Sequence, residues 1–327
     1  MTNAPAPTVT IGIPVYKRFR FLPAALRSVA EQDYPEIDLL VSDNGENGPE
    51  VEELVASHYP RPFRVRQNAV TEPVMSRHFN QMVEAAEGKY FVLLCDDDEL
   101  GPRFVSSLVQ ILEREPEVGV GIPRVEVMDE TGNLQPREHR FPPDEVFSGL
   151  DFVRMWVRKR VRFWTFVTTL ARTQEILDVG GYPPIPEADD DTIVVKLSLG
   201  RKAAFSREAE FRNRWYETSA GLSLPPEELA DDMRRWIEVL DTDPLFRDFA
   251  RRRPAEWKEI HALLVEQAWR NFRHRWVTMY RERMAPMAWL KSGFSMPFIP
   301  AYYRWLFAYL FRTGLRAAGR RLVGSGG

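Results

Sequence analysis

The sequence predicts an α/β fold, a doubly wound mixed sheet followed by a helical carboxyl-terminal extension. Three observations predict it. Up to residue 95, short runs rich in Val, Ile, Tyr and Phe alternate with segments of helical periodicity in the order β-α-β-α-β-α-β, which argues for a parallel sheet. The fourth run, Tyr90-Phe91-Val92-Leu93-Leu94-Cys95, leads straight into Asp96, Asp97 and Asp98. That puts three carboxylates at the carboxyl end of a strand, the edge where open α/β sheets hold ligands. From Pro225 onward only helical periodicity remains, dense in Trp, Arg and Met.

Each element has its own signal. Residues 9–15 form an apolar first strand. Residues 20–32 carry Leu22, Leu26 and Val29 on one helical face. Residues 37–42 form a second strand closed by the turn Asp43-Asn44-Gly45, and 50–57 a second helix. Residues 63–66 are a short third strand. Residues 76–87 are a helix for which Gly88 is the expected C-cap. After the fourth strand and a helix over 102–115 the alternation becomes irregular. Strands are expected over 118–128 and 203–214, and helices over 147–161 and 191–199. The division is a sheet-bearing domain over 1–224 and a helical region over 225–327.

A chain of 327 residues with 44% hydrophobic and 28% charged residues is globular. The net charge of −3 argues against a nucleic-acid partner. That balance hides a basic end, for residues 251–327 carry 15 Lys and Arg against 4 acids. The single cysteine, Cys95, excludes an intrachain disulfide and fits a reducing compartment. The first eight residues lack the pattern of a secretory signal, and no run of apolar residues is long enough to span a bilayer. The expected location is the cytoplasm.

Three adjacent carboxylates repel one another. A divalent cation shared with substrate phosphates offsets that repulsion. The plainer alternative is an acidic turn capping the helix that follows.

Residues 10–18, Thr-Ile-Gly-Ile-Pro-Val-Tyr-Lys-Arg, resemble the opening strand and loop of family 2 glycosyltransferases of the GT-A fold. Val41-Ser42-Asp43-Asn44-Gly45 resembles that family's second-strand turn, and Asp96–Asp98 stands at its metal-binding DxD-type motif. Gly180-Gly181-Tyr182 and the acidic stretch Glu187-Ala188-Asp189-Asp190-Asp191 follow in order. The resemblance covers about residues 8–223. It implies inverting transfer of a sugar from a nucleotide-sugar donor to a hydroxyl acceptor, with Mg2+ or Mn2+ as cofactor.

The resemblance also assigns roles. Pro14 and Tyr16 would line the base and ribose pocket, and Asp43 would read the base. Asp96 would face the ribose, and Asp97 and Asp98 would serve the metal. Cys95 stands where many members carry the first aspartate of the motif. Asn80 matches the asparagine of the family's "ARN" loop, with Phe79 in place of its arginine, and Arg77 is a candidate for the missing charge. Arg214 replaces a histidine and could clamp a diphosphate bidentately. The general base would be one of Asp189, Asp190 and Asp191, which the sequence does not separate; capping of the next helix is the other use for such acids. Trp164, Gly181 and Tyr182 are candidates on the acceptor side, with Trp156 and Trp164 read either as a sugar platform or as core.

The tail combines aromatics from Trp289 to Phe311 with Arg304, Arg312, Arg316 and Arg320, and no acid follows Glu282. Such a helix suits an anionic bilayer surface, peripheral on the inner face of the membrane, or else packs on the domain or in a homodimer. The membrane reading agrees with a lipid-linked saccharide acceptor and a role in polysaccharide biosynthesis. Two rivals remain at this point, a sugar-nucleotide pyrophosphorylase and a non-catalytic sugar-nucleotide or glycan-binding module. The first lacks its Gly-rich loop here, since Pro14-Val15-Tyr16-Lys17 stands in its place.

Overall fold

The computed structural model describes residues 6–17, 19–136, 145–158, 167–216, 224–296 and 300–323, the last eleven of these by backbone alone. The first half is as expected: β1 (Val9–Val15), α1 (Leu22–Ala30), β2 (Ile37–Asp43), α2 (Pro49–His58), β3 (Phe63–Gln67), α3 (Met75–Glu84) and β4 (Tyr90–Leu93). β1 pairs in parallel with both β2 and β4, and β2 with β3. Alternate residues face opposite layers. Tyr90, Val92 and Leu94 join Val9, Ile11 and Ile13 under α1 and α4, while Phe91 and Leu93 join the core on the other face.

The second half is richer than periodicity predicted. β5 (Glu99–Leu100), α4 (Phe104–Arg114), β6 (Val118–Met128), β7 (Glu145–Ser148), α5 (Gly149–Val157), β8 (Leu170–Arg172), α6 (Thr173–Asp178), α7 (Asp189–Ser198) and β9 (Lys202–Arg214) complete it. The strand order is β3-β2-β1-β4-β8-β6-β9-β5, with β7 also on β9. β5, β7 and β8 are two to four residues long, too short for a period to show.

Gly88 is not the expected C-cap. α3 ends at Glu84 with Ala85 as its cap. Gly88 instead lies against β1, where its N–H donates to Thr10 Oγ1 at 2.8 Å and an added Cβ would fall 2.5 Å from the Thr10 nitrogen.

The helical region continues with α8 (Pro226–Thr242), α9 (Pro244–Arg252), α10 (Pro254–Arg275), a π-helical turn at Trp276–Tyr280, α11 (Arg281–Arg283), α12 (Pro286–Ser292) and α13 (Pro300–Val323). It shares one hydrophobic core with β4, β6 and α5. Trp156 packs on Trp236 with ring centroids 6.5 Å apart, and the Arg154 guanidinium grips Glu259 with two bonds of 2.7 and 2.6 Å. Arg270 donates to the Val157 carbonyl at 2.7 Å. Trp156 is therefore core and not a sugar platform.

The tail aromatics divide. Trp289 stacks on buried Trp276 at 4.2 Å, and Tyr302 is buried between Trp269 and Phe272. Phe294, Phe307 and Phe311 are exposed. Among the described residues no helix is long and apolar enough to cross a membrane.

Candidate active site

A cavity of about 950 Å3 opens at the carboxyl edge of the sheet. That volume suits a ligand larger than a single sugar, since pockets for small molecules run to about 300–1,000 Å3. Three groups of residues meet on its wall. Pro14, Tyr16 and Lys17 leave β1, Cys95 to Asp98 leave β4, and Asp189 to Asp191 open α7.

β5 is the reason the triplet is well placed. It turns the chain back onto β9, and Asp98 then lies buried beneath the end of that strand. Its carboxylate accepts from the Arg214 backbone N–H at 2.8 Å and from Asn213 Nδ2 at 3.1 Å. Burial and the Asp97 charge push the Asp98 carboxyl well above the usual range, against the pull of those two donors. Asp97 Oδ2 accepts from the Tyr216 hydroxyl at 2.7 Å. One ligand atom from each of Cys95, Asp97 and Asp98 lies within 4.8 Å of the others, so a single cation fits the side chains present. Asp96 also lines the cavity.

Arg214 takes a different part from the one its residue type suggested. Nε donates to the Asp97 carbonyl, Nη1 to the carbonyls of Asp129 and Glu130, and Nη2 to Glu99. Its side chain is 3% exposed and lies over the Phe21 ring at 4.7 Å. With its N–H groups so engaged, it braces the triplet loop from behind and has no free pair for a bidentate diphosphate clamp.

Three further expectations meet local structure. Asp43 is buried and off the cavity wall; its Oδ1 accepts from the Gly45 N–H at 2.8 Å and Asn47 Nδ2 at 2.7 Å, and its Oδ2 from the Asn47 N–H at 3.0 Å. The Asx-turn thus holds, and its neighbour Asn44 lines the cavity. Asn80 is also off the wall. Its amide clasps Tyr182, accepting from the backbone N–H at 2.8 Å and donating to the carbonyl at 2.9 Å. Gly181 permits that clasp, because a Cβ there would sit 2.3 Å from Asn80 Oδ1. Tyr182 packs its buried ring on Phe79 at 5.7 Å. Arg77 is on the exposed face of α3, away from the cavity. Trp164 lies outside the described residues.

The α7 cluster is electrostatically tense. Asp189 Oδ1 accepts from the Asp190 N–H at 2.8 Å, while its Oδ2 is buried without a partner among the described residues. Burial first, and then the Asp190 charge, pushes the carboxyls of Asp189 and Asp191 well up. Glu187 pairs with Arg275 of α10. Burial pushes Glu187 up as well, and Arg275 opposes it.

Sequence reasoning placed every donor-site residue before Ser223. The structure adds Asn271, His274 and Arg275 of α10 to the wall. Their spacing puts them on one helical face, but nothing in the sequence says which face meets the sheet. His78, one turn into α3, was also missed. Its Nε2 lies 2.9 Å from Ser42 Oγ, and burial with the nearby Arg66 charge holds it down to about 4, so it is neutral at ordinary pH.

Residues 10–178 match the sequence profile of Glycosyl transferase family 2, and the chain belongs to that family. With a sheet that is parallel at one end and mixed at the other, it has the GT-A fold. The chain superposes on S. aureus TarS 1-349 in complex with UDP-GlcNAc with a TM-score of 0.62 at 15% identity, covering 89% of this chain and 82% of that one. Against the longer S. aureus TarS crystal structure the TM-score is 0.61 at 15% identity, covering 89% and 49%. In sequence it is 28% identical over 116 residues to the uncharacterized protein y4gI of Sinorhizobium fredii, covering 35% of this chain and 13% of that protein. The chain thus spans only part of the length of these relatives.

Proposed function

We propose that this protein transfers a sugar, with inversion, from a nucleoside diphosphate sugar to a hydroxyl of a saccharide or lipid-linked acceptor. One observation carries the reading. The carboxylates after β4 and those opening α7 are far apart in sequence yet share one cavity, rimmed by Tyr16 and Pro14. The first set suits a diphosphate with its cation, Mg2+ or Mn2+, held by Asp97 and Asp98. A divalent ion there would offset the charge of the leaving diphosphate.

Asp190 is the general base in this reading. It is half-buried on the cavity wall. After burial, its charge is the largest reason that the carboxyls of Asp189 and Asp191 are pushed up. The free oxygen of Asp189 is enclosed, and a base must come within about 2.6–3.2 Å of the proton it takes. As Asp190 takes the acceptor proton, the acceptor oxygen attacks the anomeric carbon and the bond to the diphosphate breaks. α10 borders this side through Asn271, His274 and Arg275 and so faces the acceptor.

We further place the protein in the cytoplasm, against the inner face of a membrane. Phe307 and Phe311 are 60% and 69% exposed, on one face of α13 with exposed Arg304. Apolar rings beside arginines, with no acid on this segment, complement an anionic bilayer.

The test is a thermal-shift and hydrolysis screen with UDP-, GDP-, dTDP- and CDP-sugars in Mn2+, beginning with UDP-GlcNAc. At least one donor should stabilise the fold and be slowly hydrolysed. Asp97→Ala should keep the fold and lose about a thousandfold in turnover. Binding of a donor without hydrolysis or transfer would instead mark a non-catalytic module.

A further inference from the structure

A thiol stands at the head of the acidic triplet that follows β4. Cys95 is partly exposed and lines the cavity beside the carboxylates. Its Sγ and one oxygen each of Asp97 and Asp98 all lie within 4.8 Å of one another. Metal–oxygen bonds of about 2.0–2.2 Å and metal–thiolate bonds of about 2.3 Å let two ligands of one ion stand about 4.5 Å apart across it. The three atoms are therefore close enough together to share one ion. A second observation concerns the same cavity. Asp189, a lining residue with a side chain only 4% exposed, has its Oδ2 buried without a hydrogen-bond partner among the described residues.

We infer that Cys95 binds the cation together with Asp97 and Asp98, and that this mixed sulfur–oxygen set makes the site favour borderline cations such as Co2+ and Zn2+ over Mg2+. The inference rests on the proposed donor site. Its reason is donor softness. Mg2+ takes oxygen ligands and sheds water reluctantly, whereas thiolate selects softer ions. An aspartate at position 95 would present oxygen alone and remove the preference.

The experiment uses the full-length protein under reducing conditions. Co2+ is titrated with and without UDP while the near-ultraviolet thiolate-to-cobalt charge-transfer band is recorded. Calorimetry gives the affinities for Co2+, Mn2+ and Mg2+ in parallel. The wild type should show the band, and Cys95→Ser and Cys95→Asp should lack it. Cys95→Asp should shift the Co2+ to Mg2+ affinity ratio toward Mg2+ by about tenfold or more, the scale on which ligand surroundings tune affinity. Calorimetric Co2+ binding without the band would show that the thiol is not a ligand while the carboxylate site stands. An unchanged ratio in a folded Cys95→Asp would also overturn the inference. If the wild type bound no cation with or without UDP, the cation site itself would fall, and this inference with it. The wild-type spectrum decides the question even where a variant does not fold.

Discussion

Replacing Arg275 with alanine tests whether the helical region is part of the site. Arg275 is the cationic partner of Glu187, with side-chain exposures of 22% and 10%. Without it, Glu187 keeps its burial and the repulsion of Asp190 and Asp232 but loses the opposing charge. Removing one partner of a fully buried pair costs about 3–5 kcal/mol. Water reaches part of this pair, so about 2 kcal/mol is expected here. At about 2–4 °C per kcal/mol for a domain of this size, the melting temperature should fall by about 4–8 °C. The pH dependence has a definite sign. In the variant the folded Glu187 holds its proton to a higher pH than the unfolded chain does, so stability falls as pH rises between the two values. The deficit against wild type should thus be small near pH 4 and largest near pH 8. Urea melts of both proteins across that range measure it. Arg275→Lys, which keeps the charge but not the guanidinium geometry, should recover part of the loss. A gap below about 0.5 kcal/mol at pH 8, or one that does not change with pH, would refute the reasoning.

The remaining predictions concern the α7 cluster and the tail. Asp189→Asn should stabilise the protein at neutral pH, because the wild-type carboxyl, raised by burial, weighs against folding above its unfolded value of about 4. The advantage should vanish near that pH, and melts in a pH series would show it. Asp190→Asn should lower transfer by about 10²–10⁴-fold while sparing donor affinity, and a kcat loss of only a few-fold would move the base elsewhere. Phe307→Ser with Phe311→Ser should weaken co-sedimentation with anionic vesicles, which salt should also reverse since exposed charges are screened over about 8–10 Å. If the wild type ignores such vesicles and elutes as a dimer that the double variant breaks, the face is a homodimer contact. Truncation after Met284 is a poor substitute, because it would strip Trp289 from Trp276 and Tyr302 from Phe272. Losing a buried aromatic typically costs about 3–5 kcal/mol.

Much of the parallel half was legible because a helix of at least nine residues follows each of β1, β2 and β3. Those strands came with periodicity, turn residues and a following helix, all local signals. The acidic triplet was legible for the same reason, since a strand that runs into charge must end at the sheet's edge. β5, β7 and β8 were not, because their existence depends on β9 and β4 being there to pair with. Gly88 shows the same limit. A glycine after a helix reads as a cap, and only the neighbouring strand reveals that the space is needed for Thr10.

The site divides along the same line. By itself the sequence determined the family resemblance, the order of the acidic motifs and the residue types available for metal and proton chemistry, because these depend on spacing along the chain. Only the tertiary structure decided what each polar side chain faces. It turned Arg214 and Asn80 into braces, enclosed one oxygen of Asp189 and brought Arg275 of α10 to Glu187. A side chain's partners are set by which surfaces the core brings together, and here it joins side chains of α5 and α10 that lie more than a hundred residues apart.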